Sequence, residues 1–254
     1  MRIVSVPCLK DNFAYLVICE TTRRAAVVDP GEAAPVEAAV AAAGVELVAV
    51  WATHHHADHV GGTLELVAAH AGLAVVGFAG DRARIPGITH EVVAGDEVAL
   101  GDVRAQVIEN PGHTSGAISF FVDGAAVFTG DTMFGAGCGR LFEGTPAQMA
   151  ASMARLAALP PATKVYFGHE YTASNLRFAA AVEPDNAAIT ARAVAIVDGV
   201  ATTPSTIADE RATNPFVRSA EPGVIAAAIA RDAAIDPADP AAVLGAIRRW
   251  KDVF

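Results

Sequence analysis

The stretch Thr53-His54-His55-His56-Ala57-Asp58-His59 packs imidazoles and a carboxylate into seven residues, directly after the apolar run Leu47-Val48-Ala49-Val50-Trp51. Imidazole and carboxylate together suit zinc, iron or manganese, and the absence of a nearby cysteine argues against a closed structural zinc site. A turning backbone sends His54 and His56 to one side and carries Asp58 and His59 further round. One cation would leave ligands over; two adjacent cations would use them all. His55 sits between two ligands, so its expected direction is the opposite one and its expected role structural. A solvated loop or a purification tag would also concentrate histidine. This cluster is internal, follows a strand and carries Asp58 in register, which favours metal chemistry.

Three further strand ends are chemically loaded. Asn110-Pro111-Gly112-His113-Thr114 follows Val103–Glu109, and its Pro-Gly turn projects His113 off the strand edge. Phe128-Thr129-Gly130-Asp131-Thr132 ends in an Asp that could cap a helix or, beside two cations, bridge them. Val165-Tyr166-Phe167-Gly168-His169-Glu170 repeats the order strand, Gly, His. The resulting expectation assigns His54, His56 and His113 to one metal and Asp58, His59 and His169 to the other, with Asp131 between. Such pairs lie about 3.5–4 Å apart in hydrolytic sites and activate a bridging hydroxide toward a carbonyl or phosphoryl centre. Asp58, with that hydroxide, is the expected catalytic group, and no serine or cysteine nucleophile is required. Asp29 also ends a strand, and reads equally as an acceptor for a ligand N–H or as a plain turn residue.

The elements that must position these residues follow from the pattern. Residues 2–7, 13–19, 25–31, 47–51 and 74–78 read as strands, with Lys10-Asp11-Asn12 as turn chemistry. Helices are expected over 35–43, stopped at Gly44, and from Gly61-Gly62 through His70. From about residue 90 short strands follow one another at 92–93, 97–100, 103–109, 118–122 and 125–128. A helix is expected over 146–158, with Thr145-Pro146 as N-cap and first turn, and then a last strand at 164–167. Beyond about residue 170 the pattern is helical, over 173–182, 187–200, 207–212, 223–230 and 241–250, with no strand signal. Two successive rounds of strands and helices imply two sheets between helical layers. The expected division is 1–170 for the sandwich and 171–254 for a helical domain.

At 254 residues with a net charge of −10, the chain is a poor candidate for nonspecific binding to nucleic acid or an acidic membrane. Cys8, Cys19 and Cys138 form no CxxC pair and no even framework, so a reducing compartment without disulfides is expected. No leader-like h-region or spanning segment is visible, and the expectation is a cytoplasmic monomer.

In order, THHHADH, PGHT, TGDT and GHEY resemble the motifs of the metallo-β-lactamase-fold hydrolases. That resemblance implies a four-layered αββα sandwich with metals at one edge, between the sheets. The segment Phe134–Thr145, Gly168-His169-Glu170-Tyr171-Thr172 with Asn175-Leu176, Thr213-Asn214-Pro215-Phe216 and the terminal Arg248–Phe254 are similar to the glyoxalase II family, nearly end to end. The family splits S-D-lactoylglutathione into D-lactate and glutathione. The resemblance places glutathione contacts on Arg140, Phe142, Tyr171, Arg248 and Lys251. Arg can grip a carboxylate bidentately, while Lys offers a point charge. Two positions depart from the common pattern. Arg140 stands where Lys is frequent, which keeps the charge but changes the geometry. Phe142 stands where Tyr is frequent, which removes a hydroxyl donor. The resemblance implies two divalent cations, zinc first, with iron or manganese as alternatives. Its relatives also keep open another thioesterase or a glutathione persulfide dioxygenase.

Overall fold

A computed structural model describes all 254 residues. The chain forms two compact units, each discontinuous in sequence: Met1–Glu109 with Gly116–Gly130, and Asn110–Ser115 with Asp131–Phe254.

The first unit begins with β1 (Arg2–Cys8), β2 (Asn12–Cys19) and β3 (Arg24–Val28), followed by α1 (Ala33–Ala43). Then come β4 (Glu46–Trp51), α2 (Ala57–Val60), α3 (Thr63–Ala69), β5 (Ala74–Phe78) and β6 (His90–Val92). These strands make one sheet in the order β1-β2-β3-β4-β5-β6. The first two pairings are antiparallel hairpins, and β3 to β6 run parallel, with α1 crossing from β3 to β4 and α2 and α3 from β4 to β5. Continuous apolar runs such as Val27-Val28 and Leu47–Trp51 are what a strand covered on both faces requires. On one face Val36 and Val40 of α1 and Leu66 of α3 pack with Leu16, Ile18, Val27, Val50 and Val75, all buried.

The unit continues with β7 (Glu97–Leu100), β8 (Val103–Glu109), β9 (Ile118–Val122) and β10 (Ala126–Gly130), paired antiparallel in sequence order. Here the residues alternate; along β8 Val103, Ala105 and Val107 are buried and Arg104 and Gln106 exposed. Aromatic rings join the inner faces of the two sheets. Trp51 stacks on Phe120 with centroids 5.3 Å apart, and Tyr15 meets Phe128 at 5.5 Å. Fully burying each such ring contributes about 1.5–3 kcal/mol.

The second unit contains a short hairpin, β11 (Met133–Phe134) and β12 (Gly137–Cys138), then α4 (Pro146–Ala157) and β13 (Lys164–Phe167). After these come α5 (Thr172–Val182), α6 (Ala187–Val194), β14 (Ser205–Thr206), α7 (Ile207–Thr213), α8 (Pro222–Arg231) and α9 (Pro240–Asp252). Helix α4 starts as expected: Thr145 and Gln148 form a reciprocal capping box ahead of Pro146.

Four local expectations are corrected. The helix after the histidine cluster is two pieces and begins earlier, so His59 lies on α2. The strand expected at 92–93 is His90–Val92, paired with β5. Helix α6 ends at Val194 instead of residue 200, because Asp198-Gly199 is turn chemistry and Gly199 has φ 77°. Strand β14 pairs with β13 where no strand was expected, since two residues are too short to show a period.

Candidate metal centre

In the first unit the ligand turn hangs from the ends of two parallel strands. The β3–β4 register pairs Val28 with Trp51, so the residues just past each strand are neighbours. Asp29 takes a left-handed backbone, φ 50°, a conformation that Asp tolerates better than most residues. Its buried carboxylate accepts from the Thr53 amide at 2.7 Å, the Thr53 hydroxyl at 2.6 Å and His59 Nδ1 at 3.0 Å. Of the two readings left open for Asp29, the hydrogen bonds show the acceptor, with His59 Nδ1 as one donor, and the turn conformation aims it.

These bonds select ring tautomers. Asp29 accepts only, so His59 Nδ1 carries the hydrogen and Nε2 presents a lone pair. The Thr53 hydroxyl gives its hydrogen to Asp29, so it accepts from His54 Nδ1, 3.1 Å away, and His54 also presents Nε2. That nitrogen faces His56 Nδ1 at 3.2 Å. His59 Nε2 in turn faces Asp58 Oδ2 at 3.7 Å. Asn12, read from sequence only as turn chemistry, donates to Asp58 Oδ2 at 3.0 Å and to the Asp58 carbonyl at 3.2 Å. Gly31 lets the turn after β3 lie against this segment, since a Cβ there would collide with the Asp58 carbonyl. His55 points away from the pair, as expected, with Nδ1 3.3 Å from Asp81 Oδ2 and Nε2 3.3 Å from Arg84 Nη1. Asp29, His54 and His59 place ligand atoms within 4.8 Å of one another.

The second unit carries a complementary set. Ser152 of α4 donates to the Pro111 carbonyl at 2.8 Å, and Gly112 N to the Thr114 carbonyl at 3.0 Å, which shapes the Pro-Gly turn. His113 Nδ1 donates to the Arg140 carbonyl at 2.9 Å, so Nε2 is the nitrogen that could meet a cation. Asp131 Oδ2 lies 3.5 Å from His113 Nε2 and 3.3 Å from His169 Nε2. His169, just past β13, stacks face to face on Tyr171, centroids 4.8 Å apart at 3°. All three of these side chains are buried.

The residues expected to hold substrate differ in exposure. Phe142 is 62% exposed and sets its edge against His113 at 5.2 Å between centroids. Tyr171 is 38% exposed. Arg140 is exposed, with Nε 3.8 Å from Asp252 Oδ1. Arg248 is buried; its Nη1 donates to the Cys138 carbonyl at 2.9 Å and its Nη2 to Asp252 at 3.0 Å. Lys251 places Nζ 5.4 Å from the Phe178 ring centroid. Burial first, and then the neighbouring Arg248 cation, pull the Lys251 ammonium down to about 8.

Imidazoles with one nitrogen tied to an acceptor and the other facing a second ligand fit a metal-binding site.

Comparison with known proteins agrees. The family model of the metallo-beta-lactamase superfamily matches residues 10–169, and that of the hydroxyacylglutathione hydrolase C-terminus matches residues 170–254. A hydroxyacylglutathione hydrolase from Alkalilimnicola ehrlichii is 50% identical over 99% of this chain and 98% of its own. One from a Synechococcus species is 47% identical over the whole of both chains. The crystal structure of ETHE1 from Myxococcus xanthus is 26% identical, covers 100% of this chain and 99% of its own, and has a TM-score of 0.68. The expected fold class is thereby met, a metallo-β-lactamase αββα sandwich with a helical C-terminal domain. This chain belongs to the metallo-β-lactamase superfamily and, within it, to the hydroxyacylglutathione hydrolases.

Proposed function

We propose that the chain hydrolyses the thioester S-D-lactoylglutathione to D-lactate and glutathione, with two divalent cations as cofactors. His54, His56 and His113 would hold one cation, Asp58, His59 and His169 the other, and Asp131 would serve both. The observation that carries this reading is the pairing of ligand atoms: His54 with His56, Asp58 with His59, and Asp131 Oδ2 facing both His113 and His169. The ligand chemistry suits zinc first, and iron or manganese as well. When bound, such cations lower the pKa of water and stabilise negative charge on a carbonyl oxygen.

The chain's own residues supply the rest. The Asp58 side chain, 40% exposed and oriented by Asn12, is the catalytic carboxylate that accepts the attacking water's proton. Water oxygen bonds to the thioester carbon, the C–S bond breaks, and glutathione leaves as thiolate. Arg140 and Lys251 attract the tripeptide's carboxylates, and Tyr171 and Phe142 offer ring faces to it. Arg248 belongs to the same subsite and acts through Asp252, which it shares with Arg140. The functional division we propose is 1–170 for catalysis and 171–254 for substrate binding, in a cytoplasmic monomer. No helix is long and apolar enough to cross a membrane.

The test is hydrolysis of S-D-lactoylglutathione by zinc-loaded protein, with elemental analysis of the same sample. Turnover with two metals per chain is expected. Oxygen consumption with glutathione persulfide and a single iron, or turnover only of thioesters of other thiols, would overturn the assignment.

A further inference from the structure

We propose that Asn175, Glu210 and Asn214 are positioning residues: a buried clamp that sets the β11–β12 hairpin and, through it, the ligands Asp131 and His113. The inference rests on the metal-site reading above and adds residues that reading does not use. Among them is Asn214, the centre of the Thr213-Asn214-Pro215-Phe216 motif.

The hairpin cannot hold its own shape. Its ladder has only two registered pairs, Met133 with Cys138 and Phe134 with Gly137, and an isolated pair of strands is marginal in water. Its residues are nonetheless buried from Met133 through Gly139, so their peptide groups need partners inside the protein. Side chains distant in sequence provide them. Asn175 Nδ2 donates to the Gly135 carbonyl at 2.9 Å. Asn214 Nδ2 lies 2.9 Å from the Gly137 carbonyl, 2.9 Å from Glu210 Oε2 and 3.3 Å from the Phe134 carbonyl, so its two hydrogens serve three acceptors. Glu210 Oε2 accepts from the Ala136 amide at 2.8 Å. Ala136 has φ 53°, a left-handed conformation that costs a non-glycine residue free energy and persists only where the surroundings impose it. A Cβ at Gly137 would collide with the Asn175 amide, so the approach is close.

The clamp is itself braced. Glu210 is fully buried, and its other oxygen accepts from Arg192 Nη2 at 2.8 Å. A buried ion pair contributes little net stability against an apolar replacement, but it can specify one arrangement over others.

Both ends of the hairpin lead to the metal site. Asp131 immediately precedes Thr132, whose hydroxyl donates to the Asn110 carbonyl at 3.2 Å. Arg140 follows β12, and its carbonyl fixes the tautomer of His113. A hairpin free to shift would therefore move a ligand and a ligand's orienting acceptor together. Outer partners of metal ligands typically carry about 10- to 100-fold in metal affinity.

The experiment measures zinc affinity by competition with a chromophoric chelator for the parent chain, Asn175→Ala, Asn214→Ala and the control Arg23→Ala. Arg23 binds the Ala43 and Gly44 carbonyls at the end of α1, so its removal loosens that helix end without touching the hairpin. Expected is a 10- to 100-fold weaker zinc affinity in each Asn variant, at unchanged helix content by circular dichroism, and parental affinity in the control. Asn variants that bind zinc within twofold of the parent would overturn the clamp, as would a control that loses affinity equally. Should Asn214→Ala fail to fold, Asn175→Ala decides, because it leaves the Glu210 pair intact. A parent chain that binds no zinc would instead sink the metal-site reading itself.

Discussion

The two units present their ligands in opposite ways. In the first, His54, His56, Asp58 and His59 arrive together on one turn, and Asp29, at the end of the adjacent strand, braces it. In the second, His113, Asp131 and His169 arrive on three separate segments. His113 and His169 each have their own partners: Ser152 under the Pro-Gly turn, the Arg140 carbonyl behind His113, and the Tyr171 ring against His169. A dense turn needs one good brace, because covalent connection already limits where its side chains can go. Dispersed ligands need several, since each must be fixed independently to within a few tenths of an ångström.

The comparison can be broken most sharply at Asp131, whose carboxylate faces both His113 and His169. Asp131→Ala should lower kcat/KM by about 10²–10³-fold or more, the scale of one lost electrostatic stabiliser in the transition state. Metal per chain should fall with it; parental turnover would remove Asp131 from the site. Next in size is the brace of the dense turn. Asp29→Asn keeps the shape but weakens the acceptors for His59 and Thr53. Zinc affinity should drop by about 10- to 100-fold, measured by chelator competition. An unchanged affinity would mean that the turn holds itself.

Smaller effects belong to substrate binding. Lys251→Ala should raise KM by about 10-fold with kcat nearly unchanged, because a charge-assisted contact that binds substrate and transition state alike is lost. The parent's KM should also rise with pH. Lys251 is charged below its pKa of about 8 and loses its proton as pH climbs through that value, so the attraction for a carboxylate fades on the alkaline side. Lys251→Arg should flatten that rise, since guanidinium stays charged there. Smallest, Phe142→Tyr restores a hydroxyl on an exposed ring beside His113 and should lower KM by about 2- to 10-fold, the worth of one hydrogen bond. A KM that does not move would show that the ring face, and not a donor, is what the substrate meets.

Much of this was legible in the chain itself. Ligand identity is a matter of chemistry and local spacing, so THHHADH announced a metal-binding cluster before any fold was known. Strand and helix positions followed from apolar period and from Gly and Pro, and they failed where an element was too short to show a period. That is why β14 and the division of α2 from α3 were missed. Arg248 shows a different limit. The resemblance placed it among the substrate contacts, whereas the structure buries it and gives two of its nitrogens to Cys138 and Asp252.

Residue type and order alone therefore determined the metal chemistry, the fold class and the family, because each is written in local pattern. Tertiary structure alone decided which nitrogen of each histidine is presented, that Asp29 bonds Thr53 and His59 and Asn12 bonds Asp58, and that three buried polar side chains meet one small hairpin. Those properties depend on hydrogen bonds between residues far apart in the chain, and nothing in a linear pattern states which donor will meet which acceptor.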